Sequence, residues 1–170
     1  TGDDAGVGRN DGDTKTALKN AAKVVEAEYK VPFLSHAPME PINCTAHITE
    51  EGVDVWTSTQ GADGALQAAA RTAGVDSSKV RVHQTMCGGG FGRRGAQDFV
   101  VEAVTIAKSI DRPVQLIWSR EEDIRHDFYR PISSAKMTAG FDESGKMIAF
   151  NTRIAGQSLM STQNPDALKK

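Results

Sequence analysis

The chain has 170 residues, of which 39% are hydrophobic and 25% charged, with a net charge of -2, an ordinary balance for one globular domain. No basic stripe invites nucleic acid, and no run reaches the ~18 apolar residues that a membrane span needs. Cys44 and Cys87 form no CxxC pair, which argues against a zinc site.

Thr1 to Asp13 is rich in Gly and Asp with almost nothing to bury, so residues 1–13 read as a flexible linker. Asp13 or Thr14 can cap a short helix with Leu18, Ala21, Ala22 and Val25 on one face. From Val25 the period changes to two, and Val25, Ala27, Tyr29 and Val31 mark a half-buried strand. Three prolines between Pro32 and Pro41 forbid regular pairing. Cys44, Ala46 and Ile48 then alternate, Glu51-Gly52 turns, and residues 53–58 return as a hairpin. Gly61 to Ala73 reads as a helix with Ala62, Ala65, Leu66, Ala69 and Ala73 on its packed side and Gly74 as its stop. A strand at 79–85, a glycine loop and a helix at 97–110 follow, the helix burying Phe99, Ala103, Ile106, Ala107 and Ile110. Val114 to Trp118 is apolar and short enough for a central strand. Arg120 to Asp127 reads as a solvated charged loop, and a second hairpin joins Ala135–Phe141 to Ile148–Ile154. The expected class is α+β: a mixed sheet with helices packed on it, hairpins at both ends and strand–helix–strand–helix–strand in the middle. One domain spans 14–157, with a polar tail at 158–170, and the two ends read as those of an excised piece.

Function is written most clearly at residues 86–95, Met-Cys-Gly-Gly-Gly-Phe-Gly-Arg-Arg-Gly. Glycines between a strand and a helix let the backbone approach a ligand closely. Such a turn aims N–H groups and a helix dipole at an anion, and Arg93 and Arg94 add positive charge. A tight turn with no ligand is the plain alternative. Gly90-Phe-Gly92-Arg-Arg-Gly95 also matches the dinucleotide fingerprint G-x-G-x-x-G, so a small Rossmann-type NAD-binding oxidoreductase is a competing reading, as is a non-catalytic binding domain. His47 and His83 sit on strands and read as structural. His36 lies in the Pro-rich loop, where loops more often carry function. Gln60 ends a strand where a helix begins, the place where α/β sheets bind ligands.

Four segments in order, His36-Ala-Pro-Met-Glu-Pro41, Thr57-Ser-Thr-Gln60, Gly88-Gly-Gly-Phe-Gly-Arg-Arg94 and Arg112-Pro-Val…Trp118-Ser-Arg-Glu-Glu-Asp123, resemble the molybdenum-cofactor-binding large subunit of the xanthine dehydrogenase/aldehyde oxidase family. The Arg-Arg form of the loop and His-Ala-Pro-Met-Glu-Pro resemble the isoquinoline 1-oxidoreductase beta subunit and membrane-associated aldehyde dehydrogenase branch. The resemblance covers about Thr16 to Gln157. It implies a molybdenum hydroxylase acting on N-heterocycles or aldehydes with water-derived oxygen. The implied cofactor is molybdopterin cytosine dinucleotide with molybdenum. The implied partners are a 2Fe-2S iron–sulfur subunit and the remaining part of the large subunit, and the implied location is bacterial periplasmic or membrane-associated. By motif, Gln60 matches the glutamine that hydrogen-bonds the apical oxo ligand, and Gly90, Phe91 and Gly92 match the loop beside the metal. With Gly89 and Arg93 these are the expected cofactor-binding residues. Gly95 stands where xanthine dehydrogenases carry a purine-orienting glutamate, which argues against a purine substrate. The family's general base is a glutamate near the end of the longer subunit, and Glu40, Glu102 and Glu121 match no motif for it. No catalytic residue and no direct metal ligand is therefore expected in this chain.

Overall fold

The computed structural model describes residues 6–163, so part of the expected linker and tail lies outside the described residues. Residues 6–34 with 130–163 form one compact unit and Ser35–Tyr129 form a second. The chain is α+β, but its strands make two sheets rather than the single mixed sheet expected from the sequence.

In the first unit, α1 (Thr14–Lys19) is capped by Asp13, whose carboxylate accepts from the Thr16 N–H at 3.1 Å. It stops at Asn20, earlier than the apolar spacing to Val25 suggests, because β1 (Lys23–Val31) already claims that residue. β1 pairs antiparallel with β6 (Ser133–Phe141), which pairs antiparallel with β7 (Met147–Gly156). Leu18 and Ala21 lie over Gly140, where an added Cβ would stand 3.1 and 3.0 Å from them. The unit closes with α5 (Met160–Gln163), one turn in the segment expected as a tail.

The second unit carries the core. β2 (Asn43–Thr49) and β3 (Gly52–Thr57) form the first hairpin, its turn at Glu50-Glu51, one residue earlier than expected. α2 (Ala62–Ala73) then leads to β4 (Val80–Gln84), which lies parallel to β3. α3 (Asp98–Ile110) leads to β5 (Val114–Ile117), which pairs with the far side of β2. The order is β4-β3-β2-β5, so β5 is an edge strand and not the central one that its apolar run suggested. Cross-strand rows Val114–Ala46–Val55–Val82 and Leu116–Cys44–Thr57 face one side. They are covered by α2 and α3, with Ala46, Val55, Ala65, Ala69, Phe99 and Ala103 at 0% exposure. The buried stripe of α3 is Phe99, Val100, Ala103, Val104 and Ala107, whereas Ile106 and Ile110 stay exposed. The helix packs against α2 as well as the sheet, which turns the stripe toward Val100 and Val104.

Arg120 to Asp127 is not a solvated loop. Ser119 caps α4 (Arg120–Arg125), and the side chains of Asp123 and Asp127 are each 1% exposed. A buried carboxylate persists only with partners; Arg120 pairs with Asp123, and Ser35, His36 and Arg93 surround Asp127.

Candidate functional site

Strand direction decides where the site forms. β3, β4 and β5 run the same way and β2 runs against them. The segments after β3, β4 and β5 and the segment before β2 therefore meet at one end of the sheet. They are Ser58-Thr-Gln60, Thr85 to Gly95, Trp118 to Asp127 and His36 to Ile42, which carry most of the four motifs singled out in the sequence, while Arg112-Pro-Val114 lies at the other end of β5. The carboxyl ends of parallel strands are where open α/β sheets bind ligands.

Arg94 ties three of these segments together. Its fully buried guanidinium donates to the Gly89 carbonyl at 2.8 Å, to Ser58 Oγ at 2.6 Å and to the Glu40 carbonyl at 2.6 Å. The Glu40 carboxylate lies 3.1 Å from it and accepts from Asn43 at 2.7 Å and from the Gly88 N–H at 2.8 Å. Burial raises the Glu40 carboxyl, but the donors from Asn43, Gly88, Arg94 and Ser58 outweigh it and hold the group below the usual carboxylate range. So held, Glu40 is a structural anion and a poor proton acceptor. Glu102 accepts from the Trp118 indole N–H at 2.8 Å.

Arg93 is buried as fully. It forks onto Asp98 at 2.9 and 2.7 Å, lies 3.5 Å from Asp127, and places its guanidinium over the rings of Trp118 and Phe128. The two arginines, read from the sequence as charge offered to an anion, are spent inside the protein and brace the loop from behind. The helix dipole is likewise not aimed through the loop. Arg93–Gly95 is a 3-10 turn, and α3 begins only at Asp98, itself acidic.

What the loop presents is backbone and the Gln60 amide. Gln60 Oε1 accepts from the Gly92 N–H at 3.0 Å. Of the two ends of the amide only the oxygen can accept from an N–H, so this bond sets the side-chain orientation and leaves the amide NH2 as a donor. A Cβ on Gly90 would stand 2.5 Å from Gln60 Oε1, so a larger residue there would push the Gln60 amide out of this position. Gly92 sits at φ 107, where a side chain would be strained. Between them Phe91 takes a left-handed φ of 54 and exposes its ring. Among the described residues the N–H groups of Gly89, Gly90 and Phe91 meet no protein acceptor, although Gly90 itself is buried.

Five of the six expected cofactor-binding residues, Gln60, Gly89, Gly90, Phe91 and Gly92, thus lie together, Gly90 buried and the others at least partly open. Arg93 lies in the same loop with its side chain turned inward. His47 and His83 sit on strands as expected, with His83 stacked on Trp56 and 2.7 Å from Asp54. Asp127, Asp123 and Arg120 were not singled out as site residues. Their signal was a Ser-capped acidic helix start at Ser119-Arg-Glu-Glu. Against a Rossmann reading, β4 is an edge strand and β5 lies at the opposite edge, so the strands flanking the glycine loop are not neighbours. Among the described residues, no His, Cys, Asp and Glu cluster is arranged to hold a metal, and no helix is long and apolar enough to cross a membrane.

Comparison with known proteins agrees with this geometry. The chain belongs to the molybdopterin cofactor-binding domain family, whose profile matches residues 4–168. It is 31% identical over 144 residues to the aldehyde oxidoreductase molybdenum-binding subunit PaoC of Escherichia coli (strain K12), covering 84% of this chain and 20% of that protein. It is 27% identical over 145 residues to the isoquinoline 1-oxidoreductase subunit beta of Brevundimonas diminuta, covering 84% and 19%. In fold it is similar to quinoline 2-oxidoreductase from Pseudomonas putida 86, with TM-score 0.67 at 22% identity over 84% of this chain and 18% of that one. The chain spans about a fifth of the length of these relatives.

Proposed function

We propose that this chain supplies one wall of the molybdopterin site in a larger molybdenum hydroxylase subunit that oxidises N-heterocycles or aldehydes with oxygen drawn from water. The observation that carries the reading is the Gln60 amide, pinned by the Gly92 N–H against a loop whose Gly89, Gly90 and Phe91 N–H groups meet no protein acceptor among the described residues. These groups suit a ligand rich in acceptor oxygens. Once bound, the molybdenum–pyranopterin group supplies two-electron redox chemistry at the metal. The chain's own residues do the holding. Gln60 offers its NH2 where an oxo ligand would accept, and Gly90 keeps a side chain out of that space. Phe91 lays an exposed aromatic face beside it for a planar substrate.

The finer reading is a cytosine dinucleotide form of the cofactor, with a 2Fe-2S subunit carrying the electrons away. Gly95 is exposed, with nothing within 4 Å of where a Cβ would stand, so no side chain is there to orient a purine. No base is assigned here, since Glu40 and Glu102 are committed to structural hydrogen bonds. The rest of the subunit would have to bring it.

The test is metal, pterin and nucleotide analysis of a full-length subunit carrying this domain. Molybdenum equimolar with released pterin and cytidine monophosphate is expected, and protein without pterin would overturn the reading. In that subunit Gln60→Ala should lower turnover by ~10–100-fold while most molybdenum is retained. Unchanged turnover at full molybdenum content would remove Gln60 from the metal's surroundings.

A further inference from the structure

Next to the glycine loop stands an imidazole whose environment the hydrogen bonding above does not account for. His36 Nδ1 lies 2.8 Å from Asp127 Oδ1, and the His36 backbone N–H donates to the other carboxylate oxygen, Asp127 Oδ2. Ser35 Oγ donates to that same oxygen at 2.8 Å. Burial raises the Asp127 carboxyl, yet the His36 backbone N–H, the His36 ring and the Ser35 hydroxyl prevail and hold it below its usual value. An ionised carboxylate only accepts, so Nδ1 carries the proton and Nε2 is left for another partner. Nε2 faces the loop: a Cβ built on Gly92 would stand 3.8 Å from it. The ring keeps 10% of its surface open, and among the described residues no protein group hydrogen-bonds Nε2.

A histidine needed only to hydrogen-bond Asp127 would use Nδ1 and could bury its far nitrogen anywhere. Here the far nitrogen is aimed at the one glycine whose N–H fixes Gln60. We propose that His36 is a binding residue of the cofactor site, held in orientation by Asp127, with Nε2 accepting a hydrogen bond from an N–H or O–H of the group bound against Phe91 and Gly92. The inference rests on the molybdopterin reading above and adds a residue and a role to it. Asp127 acts one step back, through the ring, and Arg93 at 3.5 Å steadies Asp127 in turn.

Two substitutions separate site from scaffold. In His36→Asn the amide NH2 can take the place of Nδ1–H toward Asp127, and nothing remains at the position of Nε2. In His36→Gln the amide reaches toward the Nε2 position and the bond to Asp127 is lost. Both are made in the full-length subunit, and molybdenum and released pterin per protein are measured beside the thermal midpoint of the cofactor-free form. His36→Asn should keep its midpoint and lose about tenfold in cofactor retention against a chelator. His36→Gln should retain more cofactor than His36→Asn despite a lower midpoint. Equal retention in wild type and a folded His36→Asn overturns the inference and leaves His36 a structural anchor. If His36→Asn does not fold, the 15N resonances of labelled His36 decide. A shift of Nε2 on cofactor loading with Nδ1 unchanged supports the role, and an unmoved Nε2 ends it. Wild-type protein that carries no pterin at all removes the molybdopterin reading, and this inference with it.

Discussion

The two sheets obey the same alternation and end in opposite states. In the four-stranded sheet β4-β3-β2-β5, the apolar rows through Ala46 and Val55 are sealed by α2 and α3. Its other face is polar and self-satisfied: Asp54 takes Arg81 at 2.8 and 2.6 Å and His83 at 2.7 Å, and Trp56 stacks on His83 at 4.7 Å. In the three-stranded sheet β1-β6-β7, the rows Val25–Ala139–Phe150 and Tyr29–Ala135–Ile154 make an apolar face just as regular. Yet Val25, Tyr29, Phe150 and Ile154 remain between 43% and 68% exposed. Alternation says which residues share a face. It does not say whether anything covers that face. The covered sheet is the one that carries the site at its end, where precise placement of Gln60 needs rigid strands beneath it.

If the contrast is sound, removing core volume from the sealed sheet should have the largest effect on stability. Phe99→Ala, at 0% exposure between sheet and helices, should cost about 4 kcal/mol in urea unfolding. A loss under about 1 kcal/mol would mean that the core is looser than its burial implies. Arg94→Met comes next, at about 3 kcal/mol. It strands the Gly89 and Glu40 carbonyls and the Glu40 carboxylate, the last still partly reached by water. Lysine at that position should not restore the loss, because one ammonium cannot fork across three segments. A stable Arg94→Lys protein would show that the staple is less demanding than its geometry.

The open face of the same sheet can be tested with acid. Hydrogen bonds from Arg81, then His83, hold the Asp54 carboxyl well below its usual range. A depressed carboxyl contributes stability that is present above its unfolded value of about 3.9 and lost as pH falls toward the folded one. Stability should therefore drop between about pH 5 and pH 2, and Asp54→Asn should flatten part of that drop. Urea midpoints at pH 6 and pH 3 measure it. An equal drop in both proteins would place the acid sensitivity elsewhere.

How much of this was legible in the sequence depends on distance along the chain. Gln60 and the glycine loop could be found because strand end, turn residues and helix start are local signals. The pairing of His36 with Asp127 spans 91 positions and leaves no local trace. Residues 120–127 therefore read as a solvated run, while two of their acids are in fact buried, Asp127 on partners from distant segments and Asp123 on Arg120 three residues before it. The arginines of the loop misled for a related reason. A guanidinium beside glycines looks like an anion site until the carboxylates Asp98, Asp127 and Glu40 fold in behind it. Val114–Ile117 was recognisable as a strand, but its place at the edge depends on which neighbour α3 lets it reach.

The smallest expected effect lies on the open apolar face of β1-β6-β7 and tests the contrast most directly. Ile154 is 68% exposed on β7, opposite Ala135. Ile154→Thr keeps a β-branched side chain that suits a strand, and removes little surface that folding had taken from water. The change in unfolding free energy should stay within about 0.5 kcal/mol, against the several kcal/mol of Phe99→Ala. Solubility should move the other way, since a contiguous apolar patch favours association and a hydroxyl in its middle interrupts it. Light scattering at rising concentration checks this, with Ile154→Thr expected to stay dispersed beyond the point at which the parent chain associates. A loss of more than about 2 kcal/mol, with no gain in dispersion, would mean that this face is packed in solution and that the two sheets do not differ as described.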